Sequence, residues 1–264
     1  MIKIAMFNQK GGVSKSSASV NIAACLDFKF KKKVLVMDCD AQQNSSLQLL
    51  GKRCDQTIRK ILDNETTLDK CIYPVSFESG GKIVETGIDV LATGMDIDLL
   101  GPTDPYAYKK LTDQLEDKYD YCLLDCPPQK MATAITSLCA CDYVLVPVWT
   151  ETDESIQGWE MVIDLFQDLK NKRYNETMEL LGVLVTRTNM NRVLDKQLME
   201  HYRSLFDNIL FDAYINDAQD IRDSYMLRKP VIYHKKNCRA SKDYIAVTKE
   251  LIKRIDDMNG KAGL

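Results

Sequence analysis

Lys10 and Lys15 bracket a Gly11-Gly12 pair, and Lys15 runs directly into Ser16-Ser17, within the segment NQKGGVSKSS at residues 8–17. An apolar run precedes this segment and a helical pattern follows it. Adjacent glycines let backbone N–H groups turn inward around an anion, and a helix start adds partial positive charge, which is the context of a phosphate-binding loop. In that chemistry Lys15 neutralises the outer phosphate oxygens, Ser16 holds Mg²⁺ through its hydroxyl and Ser17 lies near the innermost phosphate. The strict spacing GxxxxGK[ST] is not met, because Gln9 and Ser14 stand at its glycine positions. Taken alone, the segment also fits a Gly-Gly turn capped by two serines. Downstream, Asp38 and Asp125 close the apolar runs VLVMD and YCLLD. A carboxylate there is costly to desolvate unless it meets a cation or hydrogen-bond donors. For Asp38 and Asp40, turn formation after a strand is the competing role.

The elements that must position these groups are legible as alternation. The runs IKIAMF near residue 2, VLVMD, IDVLA near 88, YCLLD, YVLVPV near 143 and LLGVLVT near 180 lack polar alternation. They suit strands buried on both faces of a parallel sheet. Helical patterns at 16–28, 104–117, 152–170, 191–206 and about 240–257 lie between or after them. The first places Ala18, Ile22, Cys25 and Leu26 on one stripe; the last aligns Tyr244, Thr248, Leu251, Ile252 and Ile255. This predicts an α/β fold, a doubly wound and mostly parallel sheet flanked by helices, as one domain over residues 1–264, with ligands at the carboxyl ends of the strands. Residues 64–85 are the least periodic and read as a surface excursion.

A chain of 264 residues with 45% apolar and 28% charged residues is an ordinary globular composition. Its net charge of −3 leaves any basic surface local. Nine cysteines without CxxC spacing read as buried reduced thiols rather than a metal or disulfide framework. The N-terminus lacks a signal-peptide pattern and no apolar run approaches the ~18 residues of a spanning helix, so a cytoplasmic protein is expected.

KGGVSKSS resembles the deviant Walker A motif KGGVGKTT of the ParA/MinD family, whose hallmark is the additional lysine, here Lys10. VLVMDCDAQQN resembles that family's VLLVDxDPQGN, with Ala41 for proline and Gln43 for glycine. YCLLDCPP resembles its Walker B segment DYIIIDxPP, and INDAQDIRDSYMLRKPVI its IPRNxxLSEAxxxGKPVI. YVLVPVWTETDESIQG and LLGVLVTRTN match further strands, so the likeness spans nearly the whole chain. It implies an ATPase whose cofactors are ATP and Mg²⁺. Lys10 to Ser17 (Lys10, Gly11, Gly12, Val13, Ser14, Lys15, Ser16, Ser17) hold nucleotide, and Asn216, which replaces a proline, maps to the loop bordering adenine. Ser16, Asp38 and Asp125 attend the metal, and Lys10, Lys15 and Asp40 are catalytic, Asp40 orienting the attacking water. Lys10 reaches across an ATP-bound homodimer to the partner's nucleotide, where a cation offsets the charge of two triphosphates.

Within that family the chain resembles the short, Soj-like partition proteins. These bind duplex DNA non-specifically as ATP dimers, associate with the nucleoid, and are released when a ParB-like partner stimulates hydrolysis. Arg192, Arg222, Lys235, Lys236 and Arg239 are the candidate phosphate contacts, although Asp217 stands where some relatives carry a DNA-contacting arginine. The last residues, from Asp256 on, show no apolar face, which disfavours MinD-like membrane docking. Cys126 and Cys139 are weak candidates for the cluster cysteines of nitrogenase-reductase-like relatives. The alternative is an ATP-dependent switch that positions a protein cargo without DNA. A metabolic P-loop ligase is a third reading, opposed by Lys10 and the KPVI segment.

Overall fold

A computed structural model describes residues 1–94, 97, 104–128, 132–149 and 154–262. Seven strands form one sheet in the order β3-β4-β2-β5-β1-β6-β7. They are β1 (Ile2–Met6), β2 (Val34–Asp38), β3 (Ile72–Ser79), β4 (Lys82–Ala92), β5 (Tyr121–Asp125), β6 (Tyr143–Trp149) and β7 (Glu179–Thr186). Every pairing is parallel except β3 with β4. The doubly wound, mostly parallel sheet expected from the sequence is therefore the observed architecture.

Period-two alternation divides each central strand between two cores. Leu35, Met37, Cys122 and Leu124 face one layer, while Val34, Val36, Tyr121 and Leu123 face the other. The second layer is covered by α1 (Lys15–Phe30) and the C-terminal helix, with α2 (Asn44–Leu50) beside them. The first is covered by α3 (Ile58–Leu62), α4 (Ala107–Asp113), α5 (Ala132–Ala140), α6 (Glu154–Asn171) and α7 (Val193–Phe206). The chain ends through α8 (Gln219–Met226), α9 (Val231–His234) and α10 (Arg239–Ala262).

Four expectations need correction. Helix α1 does not present one stripe. Its residues Ala18 to Leu26 are all buried, because the sheet, α2, α9 and α10 pack around it. Residues 64–85 hold β3 and the start of β4, joined by Gly80-Gly81 at φ 59° and 74°. Two consecutive positive φ values suit a two-residue hairpin turn, which is the role glycine fills here. The pattern at 104–117 yields a helix only over Ala107–Asp113. The last helix continues to Ala262 instead of ending near 257. The start of the helix expected at 152, and residues 150–153 of the matched YVLVPVWTETDESIQG segment, lie outside the described residues.

Register sets the site. Met6 and Asp38 each align with Asp125, so β1, β2 and β5 end level with one another at the centre of the sheet. The loops leaving those three ends are the segments singled out for chemistry.

Candidate functional site

The loop from β1 to α1 is pinned at its root by Asn8, which is buried. Its Nδ2 donates to Pro147 O at 2.8 Å, and its Oδ1 accepts from Lys10 N at 2.9 Å. Gly11 and Gly12 are exposed, Gly12 at φ 79°. Ser14 is the N-cap of α1 and is left-handed at φ 66°, ψ 27°, with no side-chain cap bond. An L-residue pays about 1–2 kcal/mol in that region, whereas glycine does not. The motif's glycine thus has a backbone reason, and Ser14 adopts the same turn at a cost. The Lys15 ammonium lies folded across the loop, 2.9 Å from both Asn8 O and Lys10 O. Burial pushes its pKa down, opposed by Asp125, Cys126 and Asp40.

Asp125, fully buried, accepts from Ser45 Oγ through Oδ2, while its Oδ1 has no hydrogen-bond partner. A buried carboxylate oxygen without a donor is expensive, and a cation is the group that would repay it. Asp38, level with it on the adjacent strand, is differently placed. Its Oδ2 receives both Ser46 N and Ser46 Oγ at 2.7 Å, tying β2 to the first turn of α2, and Asp40 N approaches Oδ1 only to 3.4 Å. Burial raises the pKa of both acids. Repulsion from Asp125 adds to it for Asp38, and the charge of Asp40 adds to it for Asp125; the serines and Lys15 oppose the rise. Asp40 is half-buried and closes its own turn, accepting Gln42 N at 2.9 Å.

Sequence reasoning missed the struts of this turn. Gln43, at the second family-glycine position, is also left-handed, at φ 51°. Its buried amide donates to Thr93 O at 2.7 Å and accepts Cys54 N at 2.8 Å, so its side chain braces what its backbone strains. Arg187 was missed too. It follows β7, stacks 3.9 Å from the Trp149 ring and donates to Gly12 O at 3.3 Å. Its position at a strand's carboxyl end is the signal that could have found it.

Beside the loop lies a cavity of about 510 Å³, lined by Ser14, Ser17, Arg187, Asp217 and Tyr225 among others. Tyr244, on its wall, meets the Ser17 hydroxyl at 3.1 Å. Asn216 is not on that wall, unlike its neighbours Ile215, Asp217 and Ala218. Its amide is spent on Asp243 and Arg239, each at 2.8 Å.

The five candidate phosphate contacts are not equivalent. Arg222 is paired with Asp217 at 2.6 Å, Lys235 with Asp220 at 2.9 Å, and Arg239 bonds Asn216. Arg192 is exposed at the N-cap of α7, and the Lys236 ammonium sits 5.2 Å above the Phe28 ring. The nine cysteines are all buried free thiols, and no group of metal-holding residues that includes Cys126 and Cys139 occurs among the described residues. No helix among the described residues is long and apolar enough to cross a membrane.

Comparison with known proteins gives the arrangement its context. A family model described as an AAA domain matches residues 1–180. The Bacillus subtilis sporulation initiation inhibitor protein Soj is 29% identical over 252 residues, covering 94% of this chain and 97% of that protein. The chromosome partitioning protein ParA of Caulobacter vibrioides is 28% identical over 271 residues, covering 98% and 97%. Among solved structures, the ATP complex of a Cyanothece McdA variant superposes with a TM-score of 0.79 at 14% identity, covering 96% of both chains, a likeness of fold.

Proposed function

The chain belongs to the AAA-domain family, as a ParA/MinD-type P-loop ATPase, and from that premise we propose that residues 1–264 act as one partition-type ATPase unit whose ATP-bound homodimer holds duplex DNA and lets go on hydrolysis. The observation that carries the nucleotide half of this reading is the unpartnered Oδ1 of Asp125, buried at the root of the phosphate loop. Ser16, Asp38 and Asp125 would hold a magnesium ion, which together with ATP would supply neutralisation of the phosphate charge.

The chain's own residues do the rest. Lys15 exchanges its two backbone carbonyls for phosphate oxygens. Backbone N–H groups of residues 11–17 and the first turn of α1 face the same charge. The Asp40 carboxylate, on the turn braced by Gln43, orients a water in line with the γ-phosphate; positioning is the main catalytic task in phosphoryl transfer. Lys10 offers its charge to a second subunit's nucleotide, so that losing the γ-phosphate loosens the pair. Duplex DNA meets this dimer through the lysines and arginines of the C-terminal third, Arg192 foremost, since Arg222, Lys235 and Arg239 are engaged within the chain and Lys236 sits over the Phe28 ring. A ParB-like protein is the expected stimulator.

Phosphate release and sizing test the assignment together. Lys15→Ala abolishes nucleotide binding. Asp40→Ala keeps binding and nucleotide-dependent dimerisation but loses turnover by about 10²-fold or more. A normal rate in Asp40→Ala removes its assigned role. Absence of ATP-dependent duplex binding at low salt removes the DNA half and leaves the protein-cargo switch.

A further inference from the structure

Away from the phosphate loop, three aromatic rings from three elements form one floor. Phe28 of α1 meets Tyr233 of α9 edge-on, with centroids 5.3 Å apart, and Phe77 of β3 lies 5.1 Å from the same Tyr233. The floor is fixed from below. Tyr233 donates its hydroxyl to Asp27 Oδ2, and Gly87 N donates to Asp27 Oδ1 at 3.0 Å. Above it opens a hollow of about 240 Å³, lined by these rings together with Val84, Lys229, His234 and Lys236.

Two lysines line this hollow, and a third, Lys31, lies beside its Phe28 wall. The Lys31 and Lys236 ammonium groups lie 5.6 Å and 5.2 Å from the Phe28 centroid. Lys229 reaches in from the α8–α9 connection, with Nζ on Glu78 O at 2.8 Å. Lys31, Lys229 and Lys236 make no ion pair with any described residue, whereas nearby Arg222 and Lys235 are each neutralised by an aspartate. The one carboxylate beneath the floor, Asp27, is committed to Tyr233 and Gly87. On the rim, Val84 of β4 is 37% exposed.

Like charges gathered at an apolar hollow repel one another, and an apolar hollow open to water is the kind of surface a partner covers. We propose that this face is the docking site for an acidic segment of a partner protein, one aliphatic or aromatic side chain entering the hollow and flanking Asp or Glu residues meeting Lys31, Lys229 and Lys236. Charge complementarity selects an anionic partner. A nucleic-acid backbone would use the lysines but leave the hollow unused, while an acidic peptide with an apolar anchor uses both. The inference does not depend on nucleotide binding or hydrolysis.

The test is a display selection of random peptides on the immobilised full chain, with Lys31→Glu/Lys236→Glu as the competing target. Both substitutions are at surface positions outside the nucleotide site, so ATP binding serves as the folding control. Sequences in which Asp and Glu flank an aliphatic or aromatic residue are expected to enrich. Synthesised and labelled, they should bind the double variant at least about ten-fold more weakly, and Val84→Ser more weakly as well. Failure of acidic–apolar sequences to enrich overturns the proposal, as does equal affinity for parent and double variant. If the double variant instead loses only duplex DNA binding, the lysines serve a nucleic acid and the peptide proposal falls.

Discussion

At Asp125 the proposed chemistry turns on one atom. Its Oδ1 is buried and unpartnered while Asp38, also fully buried, sits level with it on the neighbouring strand. Both acids titrate higher in the folded chain than in the unfolded one, chiefly through burial. Stability from this pair is therefore fully present below the ordinary carboxylate range and is lost as pH rises through the raised folded values. The nucleotide-free protein should melt at progressively lower temperature between about pH 5 and pH 8. Asp125→Asn should flatten that trend and stabilise the nucleotide-free form at neutral pH by about 1–3 kcal/mol, while losing Mg²⁺-dependent nucleotide binding. Thermal melts across pH, with and without Mg²⁺ and ATP, check both; a flat trend in the parent would remove the argument. Ser14 and Gln43 make a second pair, left-handed where the family uses glycine. Ser14→Gly should stabilise by about 0.5–1 kcal/mol, relief of strain exceeding the added unfolded-state entropy. Gln43→Gly should destabilise by about 1–3 kcal/mol, because the bonds to Thr93 O and Cys54 N are lost from the interior. Urea unfolding of the two variants should move the midpoint in opposite directions.

Among the elements, β7 shows how tightly the edges of the sheet are built. Gly182 lies beside an irregularity in the β6–β7 register, at φ 149°. A Cβ there would stand 2.5 Å from Ile209 O and 2.8 Å from the Phe211 ring. Gly182→Ala should cost about 2–4 kcal/mol, read as a lowered unfolding midpoint; an unchanged midpoint would mean the Ile209 segment yields freely. Helix α1 links this framework to the nucleotide loop at its own N-terminus. Ser17 meets Tyr244 of α10, Asn21 Oδ1 accepts Val231 N at 2.8 Å, and Asp27 holds Tyr233 of α9. Polar groups on a helix buried all round need such partners, and here all three lead to the C-terminal segments that carry the exposed lysines.

For the molecule as a whole, the proposed function rests on association. Two bound triphosphates facing each other would carry more negative charge than one subunit's loop neutralises, and Lys10 is the residue that the family resemblance offers for the deficit. Lys10→Ala should still bind nucleotide but weaken dimerisation with a slowly hydrolysed ATP analogue by about ten-fold or more, measured by light scattering on a sizing column. A variant that dimerises like the parent would place the cross-subunit cation elsewhere. With a net charge of only −3, any binding of duplex DNA must come from a local group of lysines and arginines facing phosphates, so it should weaken strongly as salt is raised.

The sequence by itself determined the layered fold and the phosphate loop. Both rest on short-range physics: apolar runs too short for helices, a glycine pair where the chain must turn, and a helix starting at Lys15. The hairpin at Gly80-Gly81 was not legible, because residues 64–85 show too little periodicity and read only as a surface excursion. Tertiary structure alone decided which polar groups remain available. Strand pairing brought Asp38 and Asp125 level, then gave one oxygen of Asp38 to Ser46 and left one of Asp125 without a donor. Packing of α10 against the segment between α7 and α8 turned Asn216 onto Asp243 and Arg239, although its place in the motif pointed to the nucleotide. Ion pairing divided a run of basic residues into neutralised and uncompensated charges. A residue's type states what it can donate or accept, but the partner that arrives first comes from distant chain, and local sequence carries no record of it.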